Sequence, residues 1–72
     1  MNEQNLTEIA IRFTYHPPKP EQLEKYKVIR EMAHDLASYL QENIPESREK
    51  ALALTNIEQA VMWANAGIAR RS

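Results

Sequence analysis

The fold of this chain is decided by residues 47–70, SREKALALTNIEQAVMWANAGIAR. Apolar residues recur there at intervals of three and four, which places them on one face of an α-helix. Ser47 is a good N-cap, because its hydroxyl can accept a hydrogen bond from a backbone N–H of the first turn. The stretch therefore predicts one long helix. Its predicted core face consists of Leu54, Ile57, Val61, Ala64 and Ile68.

A second long helix is predicted just before this one, from Pro20 to Asn43. Proline suits a first helical turn, and Pro45 prevents the helix from continuing. The apolar positions again step by three or four, namely Leu23, Tyr26, Ile29, Ala33, Leu36, Leu40 and Ile44. Because the loop between the two helices is short, they should form an antiparallel hairpin.

The segment before the hairpin divides into two parts. Residues 1–14 fit a helix through Leu6, Ile9 and Phe13, or a strand through alternate apolar residues. No second convincing strand exists in the chain, so we predict a short helix, with Asn5 as a possible cap. Residues 15–20, YHPPKP, contain three prolines and should form a stiff, extended connector. The predicted fold class is therefore all-α.

Composition limits both architecture and function. Seventy-two residues, 1–72, allow one small domain, and a domain of this size is marginal as a monomer. The chain has no cysteine and only two histidines, so neither disulfides nor a structural zinc site is expected to stabilise it. Oligomerisation is the remaining source of stability. Leu52, Met62 and Trp63 lie off the predicted helical seam and would meet such partners.

Charge and glycine content argue against several classes of ligand. Nine basic residues against ten acidic ones give a formal net charge of −1, which offers no basic stripe for a nucleic acid polymer. The single glycine, Gly67, excludes a glycine-rich nucleotide loop. No cofactor or metal is expected. The polar first residues and the absence of a long apolar run predict a cytoplasmic protein without a membrane span.

Catalysis has little support, whereas several residues are candidates for binding. The acidic residues are interleaved with basic ones on exposed helical positions, and Ser47 has no nearby histidine, so we do not expect an enzyme. Tyr15 could stack on a nucleobase, since its rigid surroundings hold the ring, but spacing alone favours a core aromatic. His16 is a candidate hydrogen-bond donor to a phosphate or base. Lys19, Lys25 and Arg30 could meet phosphates or simply be solvated.

The second long helix carries further polar candidates. Arg48 and Lys50 in its first turn could form an anion site with free backbone N–H groups, or be two solvated side chains. Thr55 and Asn65 lie off the core seam, where they could hydrogen-bond across a subunit interface or line a pocket.

These residues together resemble one family. Phe13-Thr14-Tyr15-His16-Pro17-Pro18, followed by Lys25-Tyr26 and Ile29-Arg30, is similar to the opening of the phage anti-CBASS cyclic-oligonucleotide sponges. The blocks SREKALALT and EQAVMWANAGIAR are similar to the second helix of that family. The resemblance covers about residues 12–71 and rests on no single short motif.

The resemblance implies a short N-terminal helix and two long antiparallel helices, assembled into an interlocked homohexamer. It implies non-covalent sequestration of cyclic di- and trinucleotides, such as 3′,3′-cGAMP and cyclic triadenylate, in the infected bacterial cell. Tyr15 then corresponds to a base-stacking residue, Lys25 and Arg30 to phosphate contacts, and His16 and Lys19 to the rim. A second pocket type or the subunit interface is then the expected place of four residues on the second long helix, Arg48, Thr55, Asn65 and Arg70.

Two other interpretations remain open at this stage. The first is a small regulatory module that binds DNA, which the basic start of the second helix favours and the net charge opposes. The second is a pure oligomerisation protein, in which Tyr15 would matter only for stability.

Overall fold

The computed structural model describes the backbone of residues 3–72 and the side chains of residues 7–72. These residues form three helices, α1 (Glu3–Phe13), α2 (Pro20–Asn43) and α3 (Arg48–Arg71), and no strand occurs among them. The predicted all-α class, the short N-terminal helix and the two long helices are confirmed. The predicted cap at Asn5 is wrong, since α1 already begins at Glu3 and Asn5 lies within it.

Helix α2 begins and ends where the prolines predict. Pro20 occupies the first turn, where a missing N–H costs nothing. The side-chain oxygen of Gln22 accepts a hydrogen bond from the backbone N–H of Lys19 at 3.0 Å. At the other end, the N–H of Ile44 donates to the Leu40 carbonyl at 2.9 Å, and Pro45 then turns the chain.

Helix α3 begins with the predicted cap. The Ser47 hydroxyl accepts a hydrogen bond from the backbone N–H of Lys50 at 3.1 Å. The Lys50 side chain turns inward, where it donates to the Gln41 carbonyl at 3.4 Å and forms an ion pair with Glu46. Lys50 is thus buried in the hairpin turn, and both sequence-based interpretations of it, as part of an anion site or as a solvated cation, are wrong.

Helices α2 and α3 pack antiparallel into a layer one helix thick. The chain measures 49 × 31 × 13 Å, and the last dimension is close to the 10–12 Å diameter of one helix. Its radius of gyration is 16.0 Å, against about 11 Å for a compact chain of this length. The accessible surface of 5966 Å² exceeds by roughly 1,300 Å² that of a typical folded monomer of this mass. A single chain therefore leaves much of its surface without a partner.

The seam between the two helices is half-buried. The predicted face of α3 is confirmed, since all five of its residues are partly covered. On α2 the prediction is wrong for Leu23 and Leu36, both of which are more than half exposed, and for Ile44, which is 38% exposed. The apolar stripe of α2 is wider than one neighbouring helix can cover. Among residues 7–72 no hydrophobic side chain is fully buried.

No helix in the described part of the chain is both long enough and apolar enough to cross a membrane.

Candidate functional site

The open end of the hairpin, opposite the turn, gathers several of the predicted site residues. Here the chain passes from α1 through residues 14–19 into α2, beside the last turn of α3. Tyr15 lies in this connector with 82% of its surface exposed. The interpretation of Tyr15 as a core aromatic is therefore wrong within a single chain, and its ring is available to a ligand or to another subunit.

His16 is held by α1. Its Nε2–H donates to the carbonyl oxygen of Ile11 at 2.7 Å, and the ring is half-buried. This hydrogen bond satisfies one of the carbonyls that the end of a helix leaves unpaired. Nδ1 is consequently the ring nitrogen of His16 that remains available for a ligand contact.

The three predicted cations near the open end point in different directions. The Lys19 ammonium donates to the Ser72 carbonyl at 3.2 Å. Lys25 lines a shallow cleft of about 290 Å³ with Val28 and Ile68. Arg30, five positions later and so about 140° further around the helix, lines a groove on the opposite face. Lys25 and Arg30 therefore do not face one site within a single chain.

The candidates on α3 are spread along the helix. Arg48 and Arg70 are 22 residues apart, or about 33 Å at 1.5 Å per residue, which is more than one small ligand can span. Arg48 and Thr55 are exposed, whereas Asn65 and Arg70 are partly buried. The Asn65 side-chain oxygen is buried and has no hydrogen-bond partner among the described residues. An unsatisfied buried acceptor costs about 1–3 kcal/mol, and because its own chain covers this oxygen, a donor from outside can reach it only if the Asn65 side chain turns outward.

Arg70 lines a cleft between α1 and α3 that the sequence did not predict. The cleft has a volume of about 270 Å³ and also contains Arg12, Trp63, Gly67 and Arg71. Three guanidinium groups and an indole ring are the groups that recognise phosphates and bases. The exposed fraction of Trp63 is 70%.

Two of these guanidinium groups are already paired with a carboxylate. Oε1 of Glu8 accepts hydrogen bonds from Arg71 Nη2 at 2.6 Å and from Arg12 Nε at 3.2 Å. The hydrogen bond from Arg71 is the main reason why the pKa of Glu8 lies below its usual value, and Arg12 adds to the effect. This ion pair fastens α1 to α3.

Sequence reasoning could have found part of this cluster. Glu8 and Arg12 are four positions apart, a spacing that brings side chains together on any helix. The contact with Arg71 has no sequence signal, because it depends on where α1 lies against α3. Gln22 was also missed, although glutamine three positions after a helix cap is a known capping signal. Lys19 at the cap position, in place of serine or threonine, obscured it.

Comparison with known proteins identifies one family. The family model described as "Acb2/Tad1, hairpin domain" matches residues 5–69. No curated protein matches the chain, and no solved structure matches it. The matched range includes all of α2 and most of α1 and α3. It thus contains the Tyr15 connector and the hairpin turn, and it ends just before Arg70 and Arg71 of the cleft between α1 and α3.

Proposed function

Since the chain belongs to the Acb2/Tad1 hairpin-domain family, the anti-CBASS cyclic-oligonucleotide sponges, we propose that it sequesters cyclic di- and trinucleotides without cleaving them. The family match over residues 5–69 is the observation that carries this proposal. The proposed place of action is the cytoplasm of an infected bacterium, where sequestration would keep these second messengers from the effectors of CBASS immunity.

The proposed active form is a homohexamer of interlocked hairpins. An apolar groove of about 430 Å³ on one face of the hairpin lies between Met32 and Leu36 of α2 and Ala60 of α3. A second groove of about 330 Å³ on the other face includes Leu54 and Met62. Because both faces are apolar, one further hairpin could cover only one of them, and this favours an assembly larger than a dimer.

A cyclic dinucleotide is proposed to bind between two chains at their open ends. Tyr15 stacks on a base in this proposal, since stacking requires only a rigid, exposed ring. Lys25 and Arg30 face different sides of α2, so one pocket receives the lysine of one chain and the arginine of its neighbour. Lys19 and the free Nδ1 of His16 are assigned to the rim. A symmetric ligand then meets the same groups twice.

A second pocket type is proposed at the cleft between α1 and α3. Arg70 contacts a phosphate there in this proposal, and Arg12 and Arg71 become available if the phosphate displaces the Glu8 carboxylate. Asn65 is assigned to this pocket or to the subunit interface. Arg48 and Thr55 lie too far along α3 to join Arg70 of the same chain, so their contribution comes from other subunits.

The proposed mechanism is enclosure rather than chemistry. A sponge acts stoichiometrically, so it needs high affinity, and affinity rises when the binding groups are rigid before the ligand arrives. The proline segment supplies such rigidity around Tyr15.

Titration calorimetry against a panel of cyclic di- and trinucleotides tests this function. After binding, the protein is denatured by heat and the released ligand is identified by chromatography. Tight binding with intact ligand recovered supports the proposal, and the stoichiometry per chain gives the number of pocket types. Recovery of a linear product, or absence of binding to every member of the panel, would contradict it.

A further inference from the structure

Two side chains are more deeply buried than all others in residues 7–72, and both are polar. Gln22 is 3% exposed and Lys50 is 5% exposed. They lie at opposite ends of the hairpin, Gln22 at the open end and Lys50 beside the turn. Polar groups are buried at a cost unless their hydrogen bonds are satisfied, so each of these two side chains should have a definite structural task.

Gln22 joins three parts of the chain. Its side-chain oxygen accepts from the backbone N–H of Lys19 at 3.0 Å. Its side-chain amide group donates to the carbonyl oxygens of Ile68 and Ser72 at 3.1 and 3.2 Å. The Ile68 carbonyl, which also accepts hydrogen bonds from the backbone N–H and the hydroxyl of Ser72, and the C-cap residue Ser72 are thereby tied to Lys19.

The segment that directly follows Tyr15, from His16 to Lys19, is consequently fixed at both ends. At its start, His16 is hydrogen-bonded to the carbonyl of Ile11 in α1. At its end, Lys19 is held by Gln22 through its backbone and by Ser72 through its ammonium group. Between these two anchors stand Pro17 and Pro18, whose rings fix φ. Tyr15 itself makes no side-chain hydrogen bond within the described residues, so its direction depends on the segment.

We infer that Gln22 is a positioning residue for the cyclic-dinucleotide site. It touches no ligand; it holds the segment of Tyr15 and Lys19 in the geometry that the ligand requires, by anchoring that segment to α3. This inference rests on the proposed function, because it concerns the affinity of the same site. Lys50 anchors the turn at the far end of the hairpin and has no such influence.

The Gln22→Met variant tests this inference, with Lys50→Met as the matched control. Each replaces a buried polar side chain by an unbranched apolar one of similar length, at one end of the same hairpin. Affinity for 3′,3′-cGAMP is measured by calorimetry, thermal stability by circular dichroism, and assembly by light scattering. We expect Gln22→Met to weaken binding at least tenfold in the assembled protein. Lys50→Met should lower the melting temperature and leave the dissociation constant within twofold of the wild type.

The Gln22→Glu variant supplies a rescue experiment and a substitute if Gln22→Met does not assemble. At neutral pH its carboxylate faces the carbonyls of Ile68 and Ser72 and cannot donate to them, so binding should be weak. When the carboxyl is protonated at lower pH, it regains one donor and one acceptor. Affinity relative to wild type at the same pH should then recover.

The outcomes separate the inference from the function on which it rests. If wild type fails to bind, the proposed function is wrong. If wild type binds and Gln22→Met binds equally well, only the positioning role is wrong. Equal loss of affinity in Gln22→Met and Lys50→Met would also overturn it, because general destabilisation of the hairpin would then explain both.

Discussion

Substitution of Tyr15 by alanine should abolish most dinucleotide binding without affecting the fold. With 82% of its surface exposed and no side-chain hydrogen bond among the described residues, Tyr15 contributes little to the stability of a single chain. Its proposed contribution is stacking on a base, which is worth about 1–3 kcal/mol per base.

The expected magnitude follows from the symmetry of the proposed site. If two chains each present Tyr15 to one base of the ligand, the substitution removes both contacts and costs about 2–6 kcal/mol. This corresponds to a loss in affinity of about 30-fold to more than 10⁴-fold. Tyr15→Phe keeps the ring and should retain most of the affinity.

The assay is calorimetric titration with 3′,3′-cGAMP, alongside light scattering to determine the mass of the assembly. Tyr39→Ala is the matched control, since Tyr39 is also an exposed tyrosine, at 63%, but lies near the turn end of α2. It should leave the affinity unchanged. The reasoning is refuted if Tyr15→Ala binds as tightly as wild type, or if it loses binding only because the assembly falls apart.

Three further predictions concern α1, α3 and the subunit contacts. The lowered pKa of Glu8 means that its ion pairs stabilise the fold at neutral pH. That contribution should disappear as the pH falls through the lowered pKa. The melting temperature of Glu8→Gln should therefore fall less with decreasing pH than that of wild type, and parallel plots of melting temperature against pH would contradict this. Gly67→Ala should stabilise α3 by up to about 1 kcal/mol in urea unfolding, because an added Cβ has no neighbour within 4 Å. Destabilisation would instead mean that another chain approaches there. The emission of Trp63, which is exposed in the single chain, should be blue-shifted in the assembly and move to longer wavelength on dilution. An emission maximum typical of free tryptophan at every concentration would rule out its burial between subunits.

The helices follow from local chemistry, which explains why the sequence predicts them well. Apolar spacing of three and four, the Ser47 cap and the prolines at 20 and 45 act over a few residues each. They place the ends of α2 and α3 correctly. It was harder to predict which apolar residues of α2 are covered by α3. The apolar stripe of α2 continues onto surfaces that α3 does not cover, as the exposure of Leu36 shows.

The candidate site was predicted less completely, for a physical reason. Tyr15 could be singled out because the neighbouring prolines make its surroundings rigid. The cluster of Glu8 with Arg71, however, joins residues 63 positions apart. The bond from Gln22 to Ile68 spans 46 positions. Neither separation corresponds to a helical period, so no pattern in the sequence predicts these contacts.

Local patterns were sufficient to predict three helices in an all-α hairpin, the ends of α2 and the start of α3, because hydrogen bonding and capping within a helix depend on near neighbours. They did not give the start of α1, since Asn5 lies within that helix. The packing of the helices had to be known before the burial of Lys50 in the turn and the link from Gln22 to α3 could be recognised. These features depend on how one helix lies against another. That arrangement is set by packing between distant parts of the chain, which local patterns do not encode.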